Sequence, residues 1–364
     1  MYGYDLAHTR FSPEVALPPK GELVWRHAIP GSISSAPLIV DNIVYVVGWE
    51  GTVVALDVDT GEEIWLTQLD VETSYVQSLS IANDMLYVAG EYDVADKLYA
   101  LDRHTGKVLW QHSATSYIAP VVYRGFIYRR ATLRKDDLTH VIEVRDAATG
   151  KWIRAFPLKT IGGLGPVLED HLLFTGDTGG YIYAFDLNMG RAIWIAQKGG
   201  KSISGMMLAE GKLYVIEGIG DVVAIKPHTG VELWRFKNPG SIWWEWDGAA
   251  AYGMVFVVGS NKDVGNILYA LDAETGEARW QFQVEGKVDA PPAIANGRIY
   301  LGTAIYPGGY ARHPERGKIY SVDAIGGKLV WVLDAPPVMY SAAPIIVNGV
   351  LYVGTSTGEV LAIR

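Results

Sequence analysis

The sequence predicts an all-β fold, an eight-bladed β-propeller with four antiparallel strands in each blade. Three observations predict it: a phrase of apolar residues, Gly and Trp that recurs along the chain, short hairpin signals between its copies, and 41 Gly, 21 Tyr and 12 Trp among 364 residues. Many glycines beside many aromatic residues indicate tight turns between strands that pack large rings. Hydrophobic residues make up 49% of the chain, which is enough for a packed core.

The recurring phrase is an alternating apolar strand, a polar turn with Gly, and a Trp four residues after that Gly. Its first copy spans residues 53–65, and five further copies end in the pairs Gly106 and Trp110, Gly190 and Trp194, Gly230 and Trp234, Gly276 and Trp280, and Gly327 and Trp331. A further copy, with Gly150, has Arg154 where the Trp belongs. We expect each ring to pack between neighbouring blades and each Gly to supply a positive φ.

A second pair of short apolar runs lies between successive phrases. Residues 36–40 and 44–47 flank the turn Asp41-Asn42, and similar runs flank Asn296-Gly297 and Asn348-Gly349. Asn-Gly between alternating runs is a strong hairpin signal. Each unit therefore holds four antiparallel strands in about 40 to 50 residues, the period of a propeller blade.

The two ends of the sequence hold the halves of one repeat. Residues 21–25 carry a turn and a Trp without a preceding strand, and residues 359–363 carry the missing strand. The N-terminal strand is therefore predicted to pair with the C-terminal blade, which closes the ring and removes an exposed strand edge. The predicted organisation is a lead-in segment, residues 1–20, followed by a single propeller domain, residues 21–364.

The repeated Ala-Leu-Asp, Thr-Gly and Trp elements resemble those of the pyrroloquinoline quinone (PQQ)-type β-propeller superfamily. This superfamily includes the quinoprotein alcohol dehydrogenases and the propellers of the bacterial outer-membrane assembly lipoprotein. The resemblance covers essentially residues 21–364, and residues 2–13 are similar to the segment that leads into the first blade. It implies a quinoprotein-like repeat protein, located outside the cytoplasm if a leader was removed.

Composition excludes several classes of function. The chain has no Cys, so disulfides, thiol catalysis and thiolate metal sites are excluded. A net charge of -9 argues against nucleic acid as a partner, because neutralising phosphates requires a basic face. No apolar run approaches the roughly 18 to 20 residues of a membrane helix, so we expect no membrane insertion.

Strand parity predicts a face rich in loops. The connections between the second and third strands of each blade lie on the same face as the connections between blades. We expect the connection between second and third strands to be long in blades two, three, six and seven, at residues 91–97, 129–140, 260–266 and 303–318. Blades two and six oppose each other, as do three and seven. The sequence therefore predicts raised walls flanking a cleft, where binding usually occurs.

The predicted walls are basic and aromatic. They carry Arg129 and Arg130 on one side, and Tyr306, Arg312 and His313 on the other. Guanidinium groups match carboxylates or phosphates, and aromatic faces can stack on rings, so the walls suit an anionic or glycan ligand. The alternative is that these charged loops are only solvated.

The segment joining blades five and six is unlike any other part of the repeat. It contains Trp243, Trp244, Glu245 and Asp247, and three of its four residues from 243 to 246 are Trp. It resembles the Trp-Asp-Tyr-Asp-Gly stretch of quinoprotein dehydrogenases, with one extra residue after the preceding Pro-Gly. We expect these residues to bind a ligand or partner. The alternative is an aromatic plug that seals the central channel.

Quinone-dependent oxidation requires residues outside the aromatic segment as well. The dehydrogenase pattern also has a Gly-Asn loop whose Asn helps to hold calcium. It has a catalytic Asp at the end of the third strand, just upstream of the Trp-Asp-Tyr-Asp-Gly stretch, and commonly two adjacent cysteines. Here residues 218–221 contain no Asn, Lys226 stands where the repeat elsewhere has Asp, and cysteine is absent. We therefore expect no cofactor, and PQQ with calcium is the alternative.

The sequence thus favours a non-enzymatic binding or scaffold propeller. Its loop-rich face would engage a protein partner or an anionic or glycan ligand, with no catalytic and no metal-binding residues assigned. A PQQ-dependent alcohol or sugar dehydrogenase and a polysaccharide-processing enzyme remain as alternatives, the latter by analogy of fold alone.

Overall fold

The computed structural model describes most of the chain. The described residues are 11–13, 18–33, 35–70, 75–91, 97–113, 120–132, 139–160, 165–197, 200–218, 220–239, 248–261, 265–306, 314, 316–338 and 342–364.

Eight four-stranded antiparallel sheets form the eight blades of the propeller, which confirms the predicted fold class. The strands of blades one to four are Leu38–Val40, Ile43–Val47, Thr52–Asp57 and Glu63–Gln68; Tyr75–Ala82, Met85–Glu91, Lys97–Asp102 and Val108–Ser113; Val121–Tyr123, Phe126–Thr132, His140–Asp146 and Trp152–Pro157; and Val167–Glu169, Leu172–Gly176, Tyr181–Asp186 and Arg191–Gln197.

Blades five to eight repeat the same order. Their strands are Ile203–Ala209, Lys212–Glu217, Val222–Ile225 and Glu232–Phe236; Ala249–Ala251, Met254–Asn261, Gly265–Asp272 and Ala278–Val284; Ala293–Ala295, Arg298–Gly302, Gly317–Asp323 and Leu329–Ala335; and Ile345–Val347, Val350–Gly354, Glu359–Ile363 and Leu23–Ala28. No helix in the described ranges is long and apolar enough to cross a membrane.

The last blade closes the ring as the sequence predicted. Leu23–Ala28 pairs antiparallel with Glu359–Ile363, and Trp25 lies opposite Ala362. The backbone N–H groups of Glu22 and Arg364 each donate to the other's carbonyl at 2.8 Å. The two ends of the chain therefore complete one sheet.

The lead-in segment adds a strand that the sequence did not predict. Phe11–Ser12 runs parallel to Ala293–Ala295, the first strand of blade seven, and makes that sheet five-stranded. The Phe11 ring meets the Tyr252 ring edge-on, with ring centroids 5.4 Å apart. The segment thus covers the edge of a first strand, which would otherwise present unpaired backbone groups.

The core is divided into layers, each lying between two neighbouring blades. Between blades one and two, for example, Tyr45 and Val47 pack with Leu79, Val88 and Tyr99, all at most 2% exposed. Alternate residues of a middle strand face opposite sides of its sheet, so one strand supplies two layers. This explains why the second and third strands are almost continuously apolar.

The tryptophans of the repeat connect neighbouring blades. The indole Nε1 of six of them donates a hydrogen bond of 2.7 to 3.2 Å to a backbone carbonyl of the next blade or, for Trp331, of the segment that leads into it: Trp25 to Val58, Trp65 to Arg103, Trp194 to Pro227, Trp234 to Ala273, Trp280 to Ala324, and Trp331 to Pro19. The rings also cover the turn glycines, which have φ near +70°. The rings therefore pack between blades, as predicted.

Arg154 takes over the contact of the missing Trp. Its Nη2 donates to the Leu187 carbonyl at 2.7 Å, the same kind of acceptor that the indoles use. Its guanidinium carbon lies 4.9 Å from the centroid of the Phe156 ring. The third blade therefore keeps the polar connection to its neighbour but lacks the volume of the indole.

Candidate functional site

The blade geometry divides the loops between two faces. We call the face with the connections between second and third strands, and between blades, the loop-rich face. The opposite face, with the turns between first and second strands and between third and fourth strands, we call the far face. The described residues that flank the predicted binding segments, residues 129–140, 243–247 and 303–318, lie on strands that lead to the loop-rich face.

The walls of this face differ from the prediction. In blade six the strands extend to Asn261 and resume at Gly265, so only residues 262–264 lie between them. In blade three they extend to Thr132 and resume at His140. The connections in blades three and six are shorter than predicted because the flanking polar residues continue the strand ladder.

Arg129 lies inside blade three and not on a wall loop. Its side chain is 2% exposed, and its Nε is paired with the carboxylate of Glu143 on the neighbouring strand, directly opposite in register. The Arg145 Nε lies 3.1 Å from the same carboxylate. Burial by itself would raise the pKa of Glu143, but the charges of the two arginines and their hydrogen bonds hold that pKa below its ordinary value. This triad is a structural pairing within the blade.

Arg130 is also buried, on the other side of the same strand. It is 7% exposed and lies opposite Ile142. His140, two register pairs along the same ladder, is equally buried. Burial lowers the pKa of His140, and the charge of Arg130 lowers it further, whereas Asp177 of blade four acts in the opposite direction. The predicted basic rim is therefore partly a buried polar layer between blades three and four.

Asp177 organises the short connection of blade four. Its carboxylate accepts hydrogen bonds from the Tyr183 hydroxyl at 2.6 Å and from the backbone N–H groups of Gly179 and Tyr181. The backbone of Ile203, the first residue of blade five, donates to its carbonyl. Asp177 thus fixes the loop-rich end of blade four to blade five.

Before the aromatic segment, a charged cluster anchors the chain. Arg235 lies 2.8 Å from Glu217, which is fully buried, and 3.7 Å from Asp221. Asp221 also pairs with Lys201 at 3.1 Å and accepts a hydrogen bond of 3.3 Å from the backbone N–H of Asn238. This cluster fixes the point at which the aromatic segment leaves blade five.

After the aromatic segment, the chain enters blade six at a tightly packed glycine. A Cβ on Gly248 would lie 2.5 Å from the Met207 Cε and 2.6 Å from the Phe256 carbonyl. Any larger residue would push the strand away from blade five. Trp243, Trp244, Glu245 and Asp247 themselves lie outside the described residues.

The blade-seven loop begins as an extension of its hairpin. The Thr303 N–H donates to the Lys318 carbonyl and the Ile305 N–H donates to the Arg316 carbonyl, both at 2.8 Å. Lys318 lies 3.3 Å from Asp334 and 3.4 Å from Glu285, and its hydrogen bond to Asp334 raises its pKa. Tyr306 is half-buried at the end of this stem, and Arg312 and His313 lie outside the described residues.

Lys226, which stands where the repeat elsewhere has Asp, lies on the far face and not beside the connection to blade six. Lys226 directly follows Val222–Ile225 and is exposed in the far-face turn, where its carbonyl accepts from Gly230. In blades one and two the corresponding Asp57 and Asp102 accept hydrogen bonds from backbone N–H groups of the same turn. Lys226 therefore lies at the opposite end of blade five from Asn238, the last anchored residue before the aromatic segment. In the part of the chain that is described, no cluster of His, Asp and Glu could hold a metal ion.

Sequence reasoning missed the buried ion pairs of blades three and five. A signal was present in blade three, where Arg129 falls on a middle strand and Glu143 and Arg145 alternate on the next one. On a strand with two buried faces, charged residues at positions i and i+2 point to a pairing partner.

Residues 9–196, 138–242 and 218–364 match the protein family described as outer membrane protein assembly factor BamB. Together these three segments cover nearly the whole chain. The chain belongs to this family. It is 23% identical over 345 residues to the assembly factor BamB of Yersinia pestis, an alignment that covers 88% of this chain and 81% of that protein.

Solved structures of this family and of enzymes share the fold. The crystal structure of BamB from Moraxella catarrhalis has a TM-score of 0.71 and 16% identity, and the match covers 94% of this chain and 97% of that one. A europium-containing methanol dehydrogenase has a TM-score of 0.78 and 16% identity, covering 97% of this chain and 88% of that one. At these identities the likeness establishes the common PQQ-type propeller fold, which BamB and the dehydrogenases share.

Proposed function

We propose that this propeller is a non-enzymatic scaffold that engages protein partners through its loop-rich face. The observation that carries the proposal is the match to the BamB family along nearly the whole chain. The name of that family describes a factor in outer membrane protein assembly, so we place the protein outside the cytoplasm, among the proteins that assemble the outer membrane.

The described site supports a binding surface held on a rigid base. Ion pairs and backbone hydrogen bonds fix the chain at Asn238, and close packing fixes it at Gly248. The segment between them carries Trp243 and Trp244, and Trp is enriched at the residues that dominate binding energy. A rigid base lowers the ordering cost that such a segment incurs on binding.

The finer proposal concerns the chemistry of the partner. Because Arg129 and Arg130 are buried, Arg312 and His313 are the basic residues of the predicted site that we retain for the partner contact, beside the exposed Arg316. We therefore place the partner contact at Trp244 and Arg312, with Tyr306 beside the blade-seven stem. An anionic or glycan ligand would use the same arginine.

The test is capture of envelope proteins by the purified full chain. Wild-type protein carrying an affinity tag is mixed with detergent-solubilised outer membranes of its own organism, and bound proteins are quantified by mass spectrometry. We expect assembly proteins of the outer membrane to be retained. Trp244→Ala and Arg312→Ala should each weaken retention by about 1 kcal/mol or more, about fivefold in Kd, with little change in melting temperature.

Matched controls lie on the far face. His104 and His228 are exposed there, so substituting them by Ala should leave retention unchanged. Retention that depends on the two His residues and ignores Trp244 and Arg312 would overturn the assignment of the face. Two further assays separate the alternatives: absorbance of added PQQ with calcium on the protein would support a dehydrogenase, and cleavage of uronic-acid polymers would support a polysaccharide-processing enzyme.

A further inference from the structure

A cavity of about 260 Å³ opens on the far face between blades three and four. It lies at the opposite end of the blades from the proposed partner surface. Its walls come from the first turn, the two middle strands and the outer strand of blade three and from the last turn of blade four, and they include Arg124, Phe126, Tyr128, Ile153, Arg154 and Leu187.

The cavity exists because of the substitution at Arg154. At the next interface, between blades four and five, Trp194 fills this position, donating to Pro227 and covering Gly230. Arg154 reaches the equivalent carbonyl of Leu187, and its Nη1 would lie 2.5 Å from a Cβ on Gly190. The guanidinium thus replaces the hydrogen bond of the indole while leaving part of its volume empty.

The walls combine aromatic surface with two positive charges. The Arg124 guanidinium carbon lies 4.9 Å from the centroid of the Tyr123 ring, and Arg154 is placed likewise over Phe156. Within the described ranges no carboxylate lies at ion-pair distance from Arg124 or Arg154. An unpaired positive charge next to aromatic walls attracts an anion, and a guanidinium fork matches a carboxylate in shape.

A buried tyrosine also lines this space. Tyr128 is only 4% exposed and adds a ring to the cavity wall. Burial raises its pKa, so it remains a neutral donor at physiological pH. A neutral tyrosine hydroxyl can donate a hydrogen bond to a carboxylate.

We propose that this cavity binds a small aromatic carboxylate. The ring of the ligand lies against Phe126, Tyr128 and Ile153, and its carboxylate lies between Arg124 and Arg154. The volume, just under that of drug-binding pockets, suits a single ring with a short acidic chain. Nothing in the partner-binding proposal requires this site.

The probe is 4-fluorophenylacetate, observed by ¹⁹F NMR line broadening during titration with the full-length protein. The uncharged 4-fluorophenylacetamide is the matched control ligand. We expect the acid to bind with a Kd in the millimolar range or below and the amide to bind at least tenfold more weakly. Equal broadening of the two ligands would overturn the proposal.

Two substitutions test the location. Arg154→Trp restores the ring of the other blades and should fill the cavity, and Arg124→Asn removes the second charge. Asn83 and Asn296 adopt the same positive φ as Arg124 in the corresponding turns, so Arg124→Asn should fold normally even if Arg154→Trp does not. Each variant should weaken binding at least tenfold.

The charge-matched control is Arg191→Gln. Arg191 is exposed on the outer strand of blade four and does not line the cavity. We expect it to bind the acid as the wild type does. Binding that survives both cavity variants, or that Arg191→Gln weakens equally, would show that the acid binds elsewhere and would overturn the proposal.

Discussion

Removing the charge of Glu143 should destabilise the propeller more than the substitution of Trp244 or Arg312 by Ala. The side chains of Glu143 and Arg129 are both 2% exposed, and Arg145, at 14%, is the third member of the triad. Glu143→Gln keeps the size of the side chain but leaves the Arg129 charge buried without its carboxylate. The perturbation is therefore electrostatic and creates no cavity.

The expected magnitude follows from burial. Breaking a buried ion pair by removing one partner typically costs about 3–5 kcal/mol, since the remaining charge stays desolvated. Replacing both partners by apolar residues of similar size is often neutral or stabilising. We therefore expect Glu143→Gln to lower the free energy of unfolding by about 3–5 kcal/mol, and the double variant Arg129→Met with Glu143→Leu to recover most of that loss.

Urea denaturation followed by tryptophan fluorescence measures the free energy of unfolding of the single and of the double variant. Arg145→Gln is the control, because Arg145 is more exposed and also donates to the Gly150 carbonyl at 2.9 Å, so its loss should cost less. Glu143→Gln would refute this electrostatic account if it lowered the free energy of unfolding by less than about 1 kcal/mol. The double variant would also refute it if it were no more stable than the single one. If Arg129 acted instead as a ligand on the rim, the double variant would be stable but would retain fewer partner proteins.

Three further predictions concern the fold. Gly61→Ala should destabilise more than Gly211→Ala in thermal melts, because both have φ near +70° but a Cβ on Gly61 would lie 2.6 Å from the Trp25 ring and one on Gly211 would meet nothing within 4 Å; equal losses would mean that the ring moves aside freely. Deleting residues 1–28 should cause aggregation in light scattering, because it exposes the edge of Glu359–Ile363; a truncated monomer that melts like the full chain would exclude a role for the closing strand. The pKa of Glu143 is lowered in the folded state, so its carboxylate stabilises the fold above its ordinary pKa of about 4.5, and this stabilisation is lost as the pH falls below that value. The melting temperature of Glu143→Gln should therefore fall less steeply between pH 5 and 3 than that of the wild type. Parallel curves of melting temperature against pH for the two proteins would contradict this.

The repeat made the fold predictable to a large extent. Gly and Trp at fixed spacing, with hairpin turns between the copies, identify eight blades, and the half copies at the two ends identify the closing strand. These features depend on local sequence. The parallel pairing of Phe11–Ser12 with blade seven depends on contacts between residues distant in the sequence, and no local pattern indicates it.

The candidate site was less predictable than the fold. Parity correctly assigned the loops to faces, but the charge pattern alone could not show that Arg129 and Arg130 point into blade interfaces. A run of polar residues at a strand end is compatible with a loop and with a longer strand that carries a buried ion pair. The partner strand decides between them, and here Glu143 lies opposite Arg129 in register.

Site-specific photo-crosslinking in living cells tests the central claim most directly. A photoreactive benzoylphenylalanine replaces, one at a time, Trp244 and Arg312, which we propose as the partner contact, and His104 and His228 on the far face. We predict crosslinks to an outer membrane assembly protein from the first pair and none from the second. Crosslinks to such a protein from the two His positions, with none from Trp244 or Arg312, would contradict the assignment of the loop-rich face as the partner surface.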